Sequence, residues 1–267
     1  LVVASDVAAF RARYPNVSPV TGSWSGRLSN RGETIRLLDH EGNEIDRVSY
    51  SDGGDWAMRR RGPEDKGHFG WAWTNPADGG GSSLELQSLT ARNDTAQNWT
   101  ASLPHGGTPG ARNSTLEVNV PPFIEDVSHA PAVPTPRDLV LVRARLTDDL
   151  SPNVDGELHH RVSSLPASEF TITAMRDDGL GGDEIAGDDI HTAVLPAHPE
   201  GTVVEFFVKA LVRSQGRPRT TLQSRTWPGT TSPGGDQEAN LLYQVDSERD
   251  TGRTPFYRII LSAPELA

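Results

Sequence analysis

Between Gly22 and Tyr50 the chain reads GSWSGRLSNRGETIRLLDHEGNEIDRVSY, and its apolar positions, Ile35 and Leu37, then Ile45, Val48 and Tyr50, are separated by polar ones. In an extended chain successive side chains point to opposite faces, so this pattern makes half-buried strands. Asp39-His40-Glu41-Gly42-Asn43 lies between the two runs, with Gly42 free to take positive φ, and the pair reads as a β-hairpin. Asn30-Arg31-Gly32 supplies another turn just before it. Nothing in this hairpin looks like chemistry. It is scaffold.

The rest of the composition agrees. The chain has 267 residues, long enough for two domains, with 35% hydrophobic residues, 26 Gly and 20 Pro. Many short strands joined by turns produce that balance, whereas long helices do not. A formal net charge of -11 argues against nucleic acid and acidic membranes as partners, because both need basic surface. With no cysteine, disulfides and thiolate metal sites are excluded, and the compartment does not follow from that count. No apolar run approaches the ~20 residues of a membrane helix. The chain opens on Leu1-Val2-Val3 and ends in what reads as the start of another unit, so a fragment of a longer protein is expected.

The motifs carry a resemblance. Gly22-x-Trp24-x-Gly26-x-Leu28-Ser29-Asn30-x-Gly32-Glu33 and the hairpin after it resemble a bacterial lamin-tail domain of the secreted type. Further matches are Ser83-Leu84-Glu85-Leu86, Gln97-Asn98-Trp99-x-Ala101-Ser102 and Gly107-Thr108-Pro109-Gly110-x-x-Asn113-Ser114. The resemblance implies an immunoglobulin-like β-sandwich over residues 1–117 whose role is binding or spacing. Lamin-tail domains have earlier strands ahead of Leu1-Val2-Val3, so this sandwich is expected to lack an edge.

Ser5 and Asp6 are good N-caps for one short helix, with Val7, Phe10 and Tyr14 on one face before Pro15 stops it. From Asp52 to Gly81 the pattern breaks into an irregular loop holding Trp56, Trp71 and Trp73 with Arg59, Arg60, Arg61 and His68. Arginines among aromatics suit a sugar polymer, an anionic glycan or a peptide. The plainer alternative is tryptophans that fold back on the sandwich beside solvated arginines. Ser83 to Leu89 resumes strand character, and Asn98-Trp99 is expected to close the sheet with a buried indole. Asn16, Asn93, Asn98 and Asn113 begin N-x-Ser/Thr triplets, which are common by chance.

After a linker over residues 118–122 and a proline-rich approach over 131–136, strands are expected at 139–146, 157–162, 170–175, 202–211 and 241–245. They suggest a second sandwich, fibronectin- or immunoglobulin-like, over 118–246. The fold expected for the whole is therefore all-β: two immunoglobulin-like sandwiches in tandem with one short helix near the N-terminus.

Inside the second sandwich, MRDDGLGGDEIAGDDIHT gathers Asp177, Asp178, Asp183, Asp188 and Asp189 among glycines. Calcium takes six to eight oxygen ligands, and such a loop supplies them, although the spacing is not that of an EF-hand. The alternative is a set of Asx-turns capping a long loop without metal. The stretch also resembles the DDG…GD…AGDG-aromatic-T signature of modules lying between lamin-tail and spore-coat-protein-H-type kinase domains. It departs from that signature at Asp189, where Gly is usual, and at His191, where an aromatic is usual. His159 and His160 are adjacent on a strand and cannot chelate together.

The tail, Asn240-Leu241-Leu242-Tyr243-Gln244-Val245-Asp246 and then Pro255 to Ser262, resembles the passage into such a kinase domain, so 247–267 would begin a further domain. Phosphoryl transfer needs a phosphate-cradling loop, a lysine and metal-binding acids, all of which would lie beyond Ala267, and there is no G-x-S-x-G, H-E-x-x-H or Walker A sequence here. The expected function is a non-catalytic binding or spacer pair in a larger secreted or cell-surface bacterial protein. An accessory front end of an atypical kinase and a glycan-binding module using 52–81 are the alternatives. Expected partners are a protein or glycan at the cell surface and a downstream domain of the same chain, with no membrane insertion. No cofactor is expected beyond calcium.

Overall fold

The computed structural model describes residues 1–215, 219–231, 235, 237–248 and 258–266, the side chain of His68 excepted. The fold is all-β with two short helices, and its contacts divide it into two units: residues 1–58 with 73–120, and residues 59–72 with 121–267. Among the described residues no helix is long and apolar enough to cross a membrane.

In the first unit β1 (Val2–Ala4) pairs in parallel with β2 (Val20–Gly22), and α1 (Val7–Arg13) runs between them. Asp6 caps α1 by accepting from the Ala9 N–H at 2.9 Å, and the Phe10 and Tyr14 rings meet tilted at 4.9 Å, on one face as their spacing predicts. The expected hairpin is β3 (Gly32–Leu38) against β4 (Glu44–Ser51), with Gly42 at φ 89° in the turn.

The stretch read as an irregular loop is mostly a second hairpin, β5 (Met58–Asp65) and β6 (His68–Thr74). Lys66 at φ 55° and Gly67 at φ 88° make its two-residue turn, the geometry that matches strand twist. The run of arginines and the Gly62-Pro63 pair hid the alternation. Residues 59–72 of this hairpin group with the second unit. A short ladder, β7 (Leu84–Leu86) with β8 (Trp99–Ala101), completes the strands of the first unit.

The second unit packs two sheets. One is ordered β13-β10-β9, from β9 (Phe123–Ala130), β10 (Val140–Thr147) and β13 (Ile190–Leu195). The other is ordered β12-β11-β14-β15, from β11 (Asp155–Val162), β12 (Thr171–Met175), β14 (Val203–Arg213) and β15 (Thr221–Trp227). β16 (Leu241–Gln244) also pairs with β14. Alternation builds the core: Val140, Val142, Ala144 and Leu146 on β10 meet Val204, Phe206, Val208 and Ala210 on β14, all fully buried. Gly156 on β11 is required by close approach, since a Cβ there would stand 2.7 Å from Leu146 Cδ1 and 2.9 Å from Met175 Cβ. The strands β9, β13 and β15 were not anticipated; their apolar residues are too interrupted by Asp, His, Thr and Arg to declare a period. A terminal helix, α2 (Ala263–Leu266), follows β16.

Candidate functional site

The acidic loop runs from the end of β12 to the start of β13, and an isolated bridge between Arg176 and Thr192 closes its base. Asp177 organises it. Its Oδ1 accepts from the N–H groups of Gly187 (2.8 Å) and Asp188 (3.2 Å), and its Oδ2 from Asp189 (3.2 Å). Asp183 is buried and accepts from the Gly179 N–H at 2.6 Å, while Asp188 accepts from the Ile190 N–H at 3.0 Å. Gly182 sits at φ 96° with Val194 so near that a Cβ would fall 2.9 Å away, so the loop passes close over β13.

This backbone brings three carboxylates together: ligand atoms of Asp177, Asp183 and Asp188 all lie within 4.8 Å of one another. No lysine or arginine among the described residues pairs with them. The other two aspartates of the sequence reading face elsewhere. Asp178 binds the Arg176 guanidinium at 2.6 Å, and that bond holds its carboxyl below the usual carboxylate value. Asp189 takes φ 66° and gives its backbone N–H to Asp177, so it performs the left-handed turn for which the resemblance expects glycine. Three clustered carboxylates are the donor chemistry of a hard divalent cation.

The tryptophans and arginines of 52–81 are shared between the two units. Trp56 packs on Trp99 at 6.2 Å in the first unit. Trp71 is covered by the Arg61 guanidinium at 4.3 Å, and its indole N–H is taken by Glu265 at 3.2 Å. Trp73 and Arg60 are exposed, and Arg59 lines a small cavity with Trp71. His68 lies outside the residues whose side chains are described, as does the Pro255-Phe256-Tyr257 part of the tail. His159 stacks on Phe207 at 4.5 Å and His160 meets Thr173 at 3.1 Å, on opposite faces of β11. Burial, His198 and His159 together push the His160 ring below its ordinary value.

Sequence reasoning missed two features of the first unit. One is a groove of about 400 Å³ whose apolar wall includes Leu28, Ile35, Val48, Tyr50, Leu84 and Trp99. Ile35 and Leu37, on the apolar face of β3, are 42% and 60% exposed, so that face is only partly covered by the described residues. The other is a set of buried polar residues within the resemblance motifs. Asn98 is fully buried, and the indole of Trp99 only half so.

Glu85 is also buried, and it accepts from Thr108, from the N–H and hydroxyl of Ser114 (both 2.7 Å) and from Thr115. Burial pushes its carboxyl up, but the hydrogen bonds from Thr108, Ser114 and Thr115 outweigh it and leave the group below its ordinary value of 4.5. A carboxyl with a lowered folded pKa stabilises above its unfolded pKa, and that stabilisation is lost as pH falls through the folded value. Melting temperature should therefore fall more steeply on acidification for the natural chain than for Glu85→Gln, and parallel slopes would remove Glu85 as the cause.

No protein-family model matches the chain, and no curated protein matches it.

Proposed function

We propose that the chain is a non-catalytic pair of binding or spacer modules within a larger secreted or cell-surface bacterial protein, lamin-tail-like and then immunoglobulin- or fibronectin-like. In this reading the second module is clasped by calcium. The observation that supports it is the convergence of the Asp177, Asp183 and Asp188 carboxylates within 4.8 Å, with Arg145, among the described residues, bonded to the Asp188 carbonyl and to none of the three carboxylates. Like charges at that distance repel, and a divalent cation reverses the sign of the interaction. A loop site of this few carboxylates suits the weak affinities of extracellular modules, about 0.1–1 mM. The loop joins β12, an edge strand of one sheet, to β13, an edge strand of the other, so a bound ion would stiffen the module as a spacer. The open apolar groove of the first unit supports the binding side of the proposal.

Calorimetric titration of the full chain with calcium tests it. At tenfold excess over Kd the gain in stability is about 1.4 kcal/mol, read as a rise in melting temperature that chelator reverses. Asp183→Asn should abolish both signals. A melting temperature unmoved between chelator and saturating calcium removes the calcium clasp.

A further inference from the structure

Glu205 stands on β14 between the inward-facing Val204 and Phe206, so alternation turns it to the outer face, yet it is 3% exposed. Its Oε2 accepts from Arg161 Nη2 at 2.9 Å and Nε at 3.2 Å and from Asn240 Nδ2 at 3.0 Å. Its Oε1 and the Oδ1 of Asn240 are buried without a hydrogen-bond partner, and a cavity of about 40 Å³ lies against both residues, roomy enough for ordered water. Something must therefore cover the outer face here.

The cover comes from two segments of the second unit far apart in sequence. One is the β5–β6 hairpin, through Arg59 and Trp71; the other is 258–266, through Ser262 and Glu265. Glu265 joins them. Its Oε1 accepts from the Trp71 indole N–H at 3.2 Å, and its Oε2 from the Ser262 N–H at 2.9 Å and hydroxyl at 2.8 Å. The Ala263 N–H reaches Ser163 Oγ at 2.8 Å, and Arg258 pairs with Asp246.

We propose that residues 258–266 are a strap, closed over the outer face of β14 by the Glu265–Trp71 contact and opened when Glu265 loses its charge. A neutral side chain at this position cannot accept with equal strength from Trp71 and from both Ser262 donors. Opening hydrates the Arg161–Glu205 pair, which closure keeps from water. The charged groups facing the contact are Arg61 on the stacked indole and, around the cavity, Arg59, Glu205 and Glu238. Burial pushes the Glu265 carboxyl up, but the hydrogen bonds from Ser262 and Trp71 and the charge of Arg61 bring it below its ordinary value. Closure is therefore favoured at neutral pH, where Glu265 is charged, and is lost as pH falls through the folded value.

Hydrogen exchange read by mass spectrometry on the full chain tests the strap. In Glu265→Gln, peptides covering 258–266 and Glu205 should exchange about tenfold faster at neutral pH, while 140–147 stays unchanged. Trp71→Phe, which keeps an aromatic ring and removes the indole N–H, should raise the same peptides by less. On acidification, after correction for chemical rates, the natural chain should approach the Glu265→Gln behaviour. Unchanged protection of 258–266 in both variants overturns the strap. So does an equal loss over 140–147, because Glu265 would then support the whole unit and not a separate cover.

Discussion

Asn98→Ala is expected to unfold the first unit while the second stays folded. Asn98 is 0% exposed, and its amide makes four bonds to the backbone around it. Oδ1 accepts from the Ser88 N–H at 2.8 Å, and Nδ2 donates to the carbonyls of Ser88 (3.0 Å), Ala91 (3.3 Å) and Arg92 (2.9 Å). Alanine takes the partner from two buried groups of Ser88, at ~1–3 kcal/mol each, and from the half-buried carbonyls of Ala91 and Arg92, so the loss is at least about 2 kcal/mol. A whole domain has only ~5–15 kcal/mol of stability. The first unit has little else to resist with, because its buried apolar side chains among the described residues are Ala4, Val20, Ala96 and Val120.

Residue-resolved amide spectra separate the units. Signals from 84–101 should collapse while those from 140–147 and 203–211 keep their dispersion. Asn93→Ala is the control, since among the described residues that side chain bonds Asp46 at the exposed surface, and it should stay within ~0.5 kcal/mol of the natural chain. If both variants melt alike, the buried amide is not what holds the unit together.

The second unit should fail by a different mechanism. Phe206 is fully buried on the inner face of β14, with its ring 5.8 Å from His129 and 6.2 Å from Tyr243. Phe206→Ala removes that burial and leaves a cavity between two sheets that cannot close, a cost of about 3–5 kcal/mol. Phe207, the next residue, lies on the outer face against His159 and Phe170, and its truncation should cost less because water and neighbouring side chains can refill the space. Denaturant titration decides: the midpoint of the second unit should fall further for Phe206→Ala, with the slope unchanged. The reverse order would place the packing core on the wrong face of the sheet.

The contrast between these variants explains what was legible. The strands β10, β11, β12, β14 and β16 were readable because each carries a local period of apolar residues or an apolar run, and the β3–β4 hairpin because Gly42 marks its turn. The helix was readable from a cap at Asp6 and a stop at Pro15. The β5–β6 hairpin was not, since arginines occupy β5 and its turn, Lys66-Gly67, lacks the usual Asn or Asp. In the acidic loop the sequence offered five aspartates with equal claims. Only the backbone path separates Asp177, Asp183 and Asp188, which converge, from Asp178, held by Arg176, and Asp189, spent on a left-handed turn. The tryptophans of 52–81 are a related case: they are neighbours along the chain, and the fold gives Trp56 to Trp99 but Trp71 to Arg61 and Glu265.

From the sequence alone came the all-β class, the hairpin and the helix, because strand alternation, turns and caps are short-range and each is set by a few neighbouring residues. The tertiary structure decided which buried polar groups hold each unit. Asn98 is tied to the 88–92 backbone, Glu85 to 108–115, and Glu205 to Arg161 and Asn240, all pairings between segments that no local period connects. A desolvated amide or carboxylate must find its partners wherever the folded chain puts them, so those partners exist only once the fold does.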